Sequence, residues 1–205
     1  ESAFEKCKNI KKIIIKDEDI SKCELTKIKK TAFKDCLKLQ DFLITSKVDS
    51  IGEEAFMNCI DLSFVEFNNC EFIKYPGTTF DKAPFKNCNN LKKMKIISDI
   101  SRTSIIPDSC FTNTSILLDT ITTDNQPKFP HLGSTINIID LSGIKKIENK
   151  AFFGCLNLDT INFKNVTEIG ENAFDSCNFK DITLSSSLNI IKNKAFINNI
   201  NLKNI

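Results

Sequence analysis

Nine cysteines, one histidine and two runs of carboxylates are the residues of this 205-residue chain that could do chemistry. Six of the thiols, Cys7, Cys36, Cys59, Cys88, Cys155 and Cys177, each follow a phenylalanine by three residues. Thiol chemistry needs a second thiol within bonding reach, a metal set, or a base beside the nucleophile. No Cys-x-x-Cys pair occurs, and His131 is the only imidazole, so zinc sets and Ser/His/Asp or Cys/His schemes lack their partners. His131 stands in a loop with two prolines and a glycine, Gln126-Pro127-Lys128-Phe129-Pro130-His131-Leu132-Gly133, and reads as solvent-exposed. Glu53-Glu54 and Asp17-Glu18-Asp19 pair carboxylates in sequence, but neighbours on a short turn point apart into water. No glycine-rich phosphate loop is present, and Gly52 and Gly170 read as turn residues. The expectation is a chain that is not an enzyme and needs no cofactor or metal.

The thiols instead mark a repeat. Ala-Phe followed by Cys three residues after the Phe, then by apolar positions, recurs at Ala3-Phe4-Cys7, Ala32-Phe33-Cys36, Ala55-Phe56-Cys59, Ala151-Phe152-Cys155 and Ala173-Phe174-Cys177. Ala83-Pro84-Phe85-Cys88 carries one extra residue, and at Ala195-Phe196 the Cys becomes Asn199. Cys110-Phe111 takes the Ala-Phe slot of one unit, with Thr114 in the Cys slot. From Phe152 to Phe174 to Phe196 the step is twenty-two residues, and elsewhere it lengthens by insertion. A period this short signals a stack of coils, each too small to close a core alone. Ile161 and Phe163 alternate with Asn162 and Lys164, the period-two pattern of a strand buried on one face. Segments such as Glu53 to Cys59 have room for one or two helical turns on the opposite wall. The phenylalanines should form an internal column, and the six in-register cysteines a ladder of buried free thiols about 5 Å apart. Cys23, Cys70 and Cys110 fall outside that register. Cys110 sits in a core slot, so a Cys23–Cys70 bridge is the one disulfide to suspect.

At 41% apolar residues the chain can bury a substantial core. A net charge of +2 with both signs interspersed gives no case for a nucleic-acid or anionic-membrane partner. Lys27-Ile28-Lys29-Lys30 reads as a solvated loop. No apolar run approaches the roughly 20 residues of a membrane span, and no signal peptide opens the chain. The chain starts inside a repeat and stops on a strand frame, so it reads as a fragment of a longer array. Two sequons, Asn113-Thr114-Ser115 and Asn165-Val166-Thr167, could accept glycan in a eukaryotic secretory route, although chance accounts for them as well.

The pattern Ile-x-x-Ile-x-x-x-Ala-Phe-x-x-Cys-x-x-Leu-x-x-Ile resembles the BspA-like, or Treponema-type, leucine-rich repeat. Ile51-Gly52-Glu53-Glu54-Ala55-Phe56 and Ile169-Gly170-Glu171-Asn172-Ala173-Phe174 are similar to its core. The resemblance implies an α/β solenoid, a leucine-rich-repeat horseshoe with a parallel β-ladder on one face and short helices or turns on the other. It further implies a cell-surface or secreted protein of a microbe or protozoan parasite, acting in adhesion to host or matrix proteins. The alternative is an intracellular, cytoplasmic leucine-rich-repeat scaffold, which free thiols would suit. Between Thr112 and Thr135 the pattern turns irregular, yet Ile136, Ile139, Leu141, Ile144 and Ile147 resume the strand frame. Phe129 is therefore expected to head a degenerate unit, giving one domain over residues 1–205 with about nine rungs.

The outward residue between the two buried ones on each strand would line the inner surface of the curve: Ile14, Leu43, Glu66, Lys95, Thr122, Asp140, Asn162 and Thr183. This row is the expected protein-binding surface, with Ile14 and Leu43 its apolar end. The insertions Asp17 to Cys23 and Tyr75 to Lys82 are the competing places for a partner.

Overall fold

Each coil is a turn built around its phenylalanine, joined by short strands; the strand expected at Ile161 and Phe163 does not form, since neither residue is in a strand. The computed structural model describes residues 1–15, 25–44, 48, 50–67, 79–80, 82–91, 93–96, 105–115, 144–159, 161 and 163–205. Four-residue strands follow the Cys slot at β1 (Lys12–Ile15), β3 (Asp41–Ile44), β5 (Phe64–Phe67) and β7 (Lys93–Ile96). They pair in parallel as the sheet β1-β3-β5-β7. Two-residue strands precede the Ala-Phe slot. In the first half these are β2 (Lys27–Ile28), β4 (Ser50–Ile51) and β6 (Thr79–Phe80), which form a three-stranded parallel sheet. In the second half β8 (Ile105–Ile106), β9 (Lys146–Ile147), β10 (Glu168–Ile169) and β11 (Ile190–Ile191) form a four-stranded one.

No helix occurs among the described residues, and the backbone shows why. Two residues before each phenylalanine and two after it, φ is positive: Thr31 at 51° and Asp35 at 60° around Phe33, Glu54 at 54° and Asn58 at 62° around Phe56. The same holds at Phe4, Phe85, Phe111, Phe152, Phe174 and Phe196. Left-handed residues recurring within each turn cannot propagate a right-handed helix. The conformation costs energy at non-glycine positions, and aligned hydrogen bonds between coils offset it. Thr31, Phe33 and Asp35 donate their N–H groups to the carbonyls of Glu53, Ala55 and Met57 on the next coil, at 2.9, 2.8 and 2.9 Å. The alternate N–H groups turn back within the coil, as from Cys36 to the Phe33 carbonyl at 3.2 Å. The expected helical wall is thus a wall of turns that hydrogen-bonds like a ladder.

The core lies between these walls. Phe4, Phe33, Phe56, Phe85, Phe111, Phe152, Phe174 and Phe196 stack in one column, with ring centroids 5.2 to 6.0 Å apart and planes within 21° of parallel. Phe42 packs edge-on against Phe33 and Phe56 from the strand side. Leu39, Leu62, Leu91, Ile51, Ile106, Ile147 and Ile169 are sealed from solvent around the column. Every such side chain gains about 1.5–3 kcal/mol from burial that a single coil could not supply.

Beyond the strand at Ile161 and Phe163, three expectations are corrected, the helical wall first. The Phe111 ring stacks directly on Phe152 at 5.3 Å, the Phe111 N–H reaches the Ala151 carbonyl at 2.7 Å, and β8 pairs with β9, so eight phenylalanine-headed coils make the described stack. The unit expected at Phe129 lies outside the described residues. Second, Lys27-Ile28-Lys29-Lys30 is no solvated loop. It contains β2, Ile28 is buried, and Lys30 Nζ is 2.6 Å from Glu53 Oε2. Third, Gly52 and Gly170 owe their identity to close approach rather than to a turn. A Cβ on Gly170 would sit 2.5 Å from the Glu148 carbonyl carbon and 2.6 Å from Asn149 N, and one on Gly52 would sit 2.6 Å from Lys30 N.

Candidate functional site

The cysteine slot is occupied by structure rather than by chemistry. Cys36, Cys59, Cys88, Cys155 and Cys177 donate from Sγ to the carbonyl oxygen of Phe4, Phe33, Phe56, Phe111 and Phe152 on the preceding coil, at 3.0 to 3.2 Å. Asn199 does the same through Nδ2, 2.7 Å from the Phe174 oxygen, which explains how an amide replaces a thiol there. Thr114 instead turns its hydroxyl to the carbonyl of Phe111 in its own coil, at 2.9 Å. Burial pushes the Cys155 thiol up to about 12 and holds Cys88, Cys110 and Cys177 well above their ordinary range. A thiol so protonated is a poor nucleophile and a poor metal ligand. All seven described cysteines are free; Cys23 and Cys70 lie outside the described residues, as does His131. Among the described residues no group of three or more His, Cys, Asp or Glu is placed to hold a metal ion. Nor is any helix among them long and apolar enough to cross a membrane.

Two outer surfaces remain. On the turn face, charged and amide side chains pair from coil to coil. Lys30 meets Glu53, and Lys34 Nζ lies 2.7 Å from Glu54 Oε2, so the two neighbouring glutamates serve two different lysines. Asn58 donates to Asp35, Asn87 to Asn58 and Asn113 to Asn87, at 2.7, 2.9 and 2.8 Å. The amide of the first sequon is thereby engaged, and Thr114 beside it is buried. Much of this face therefore satisfies itself.

The strand face differs. Register pairs Ile14 with Leu43, Leu43 with Glu66 and Glu66 with Lys95, so these four expected residues form one continuous row across β1, β3, β5 and β7. Ile14 is 45% exposed and Leu43 partly so, while their neighbours Phe42 and Val65 point inward and are sealed. Beside this row runs a second, Lys12, Asp41, Phe64 and Lys93, in which Lys12 Nζ lies 3.5 Å from Asp41 Oδ2. Phe64, half-buried on the outward side, enlarges the apolar patch begun by Ile14 and Leu43. Sequence reasoning passed over it by taking only one outward residue per strand, although the two-residue spacing from Glu66 was available. Thr183 is exposed, near the isolated bridge between Asp181 and Asn204. Thr122, Asp140 and Asn162 lie outside the described residues, as does most of both insertions.

Comparison with curated proteins and with solved structures gives no match. A family model of the BspA-type leucine-rich repeat region matches residues 1–130 and 126–205, in six copies. Its span takes in every stacked phenylalanine and every thiol of the ladder, and the chain belongs to the BspA-type leucine-rich-repeat family.

Proposed function

We propose that the chain is a non-catalytic protein-binding module of adhesin type, displayed on a cell surface or secreted, and that it engages its partner through the outward face of β1-β3-β5-β7. Repeats of this family serve protein interaction. The observation that carries the choice of face is an outward apolar row: exposed Ile14 and half-buried Leu43 stand side by side on a parallel sheet, with half-buried Phe64 next to them. Exposed apolar side chains grouped on a rigid surface mark interaction sites, whereas scattered ones do not. Polar residue types surround the patch, with the Lys12–Asp41 pair on one flank and Glu66 and Lys95 continuing the row. This is the arrangement of an apolar centre with a polar rim. Thr122, Asp140, Asn162 and Thr183 extend the surface in this reading.

Leu43→Glu tests the face. It puts a charge in the centre of the patch without touching the buried Phe42, so the fold should persist while partner binding falls by at least about tenfold. Unchanged affinity would move the site to another surface. The free thiols favour a second reading, an intracellular scaffold. Staining intact, unpermeabilised source cells with serum raised against the chain separates the two. Surface labelling supports the adhesin, and labelling only after permeabilisation overturns it.

A further inference from the structure

We infer that the cleft on the turn face between Lys86 and Ser109 binds a carboxylate side chain of a partner polypeptide. The inference concerns a different face from the apolar row and does not depend on it. The repeat itself states what is missing. The residue after each phenylalanine lies beside the residue two before the phenylalanine of the next coil. Thr31 Oγ1 donates to Glu5 Oε2 in this way at 3.4 Å, and Lys34 pairs with Glu54 at 2.7 Å. At Lys86 the same place is held by Ser109, a small buried residue whose hydroxyl is already given to Asp108 Oδ1 at 2.5 Å. The equivalent residue one coil earlier, Ala83, is also small. The result is a cleft of about 370 Å³ at the place where the Phe56 coil carries the Glu54 side chain.

Its charge matches its shape. Lys82, Lys86 and Lys150 line it, and none of the three forms an ion pair with another described residue. Two carboxylates also face it, Asp108 and Glu171. Among the lining residues three ammonium groups stand against two carboxylates, a net charge of +1, and one Asp108 oxygen is already taken by the Ser109 hydroxyl. A glutamate or aspartate side chain from outside restores the pair that Lys34 makes internally, with a charge-assisted hydrogen bond to Lys86.

The test is calorimetric titration of the chain with hexaglutamate at low ionic strength, with hexaglutamine and sodium sulfate in parallel. One saturable site for hexaglutamate and none for hexaglutamine is expected. Lys86→Ala should weaken it by at least about tenfold. Ser109→Glu, which copies the positive-φ glutamate at Glu54, should do the same by filling the cleft from within. Glu54→Ser should create a second, equivalent site at Lys34, and Leu43→Glu should leave hexaglutamate binding unchanged. Absence of hexaglutamate binding overturns the proposal, as does affinity unchanged in Lys86→Ala, a surface change that the fold tolerates. Displacement of hexaglutamate by equimolar sulfate would also overturn it, by reducing the cleft to general anion attraction.

Discussion

Cys59 Sγ donates to the carbonyl oxygen of Phe33, one coil upstream, at 3.0 Å, and that oxygen also accepts the N–H of Cys36 at 3.2 Å. The thiol therefore ties two coils together at the point where the phenylalanine column passes. Cys59→Ala removes the donor and part of the packed volume, and should cost about 1–3 kcal/mol. Cys59→Ser keeps a donor and should cost less. Urea denaturation of both variants checks this; equal losses would mean that the slot selects for volume alone.

The column itself predicts a gradient. Phe152 is sealed between Phe111 at 5.3 Å and Phe174 at 5.2 Å, whereas Phe4 has one stacked neighbour and is 44% exposed. Phe152→Ala should destabilise by about 3–5 kcal/mol, the range for a buried aromatic removed from a site that cannot collapse. Phe4→Ala should cost less than half of that. Similar losses from the two would break the stacking account.

Sequence reading succeeded where side-chain type and spacing carry the information. Ala-Phe-x-x-Cys and its variants located every described coil, and the outward positions expected at Ile14, Leu43, Glu66 and Lys95 fall in one register across the four-stranded sheet. It failed where the backbone decides. Ser2, Lys6, Thr31, Asp35, Glu54 and Lys150 share no chemistry that announces positive φ, so the turn wall read as helix. Two-residue strands such as Lys27–Ile28 are too short to show a period, which hid the second sheet.

Alkaline pH should loosen the stack. Unfolded thiols titrate near about 8.5, while Cys155 in the folded chain does so at about 12 because burial disfavours the thiolate. Between those values the unfolded chain has released the proton and the folded chain has kept it. Stability is therefore fully present below about pH 8.5 and falls as pH rises toward 12, by up to about 1.4 kcal/mol per pH unit for each such thiol. Cys88, Cys110 and Cys177 shift in the same direction. Denaturation midpoints measured from about pH 7 to 10, a window that brackets the unfolded thiol, should decline. Cys155→Ala should show a shallower slope; a flat profile would contradict buried protonated thiols.

Two glycines should respond in opposite ways. At Gly170 an added Cβ meets the backbone of Glu148 and Asn149 at 2.5 and 2.6 Å, and backbone held by inter-coil hydrogen bonds cannot yield cheaply. Gly170→Ala should therefore cost about 1–3 kcal/mol. Gly154 has φ of 70° at the place where Asn58, Asn87, Asn113 and Asn198 occur in other coils, and it interrupts the amide ladder that ends with Asn113. An added Cβ there meets chiefly the far end of the Asn113 side chain, and asparagine tolerates the left-handed conformation. Gly154→Asn offers Asn113 Oδ1 an amide donor and lowers the entropy of the unfolded chain. Against this stand the strain of a side chain at φ 70° and a Cβ pressed on that oxygen, which must swing aside; a small net gain, below about 0.5 kcal/mol, is expected. Thermal melts of the two variants decide it: a stabilised Gly154→Asn beside a destabilised Gly170→Ala supports the amide ladder and the coil contact, and loss in both would show that the ladder cannot pass the Phe152 coil.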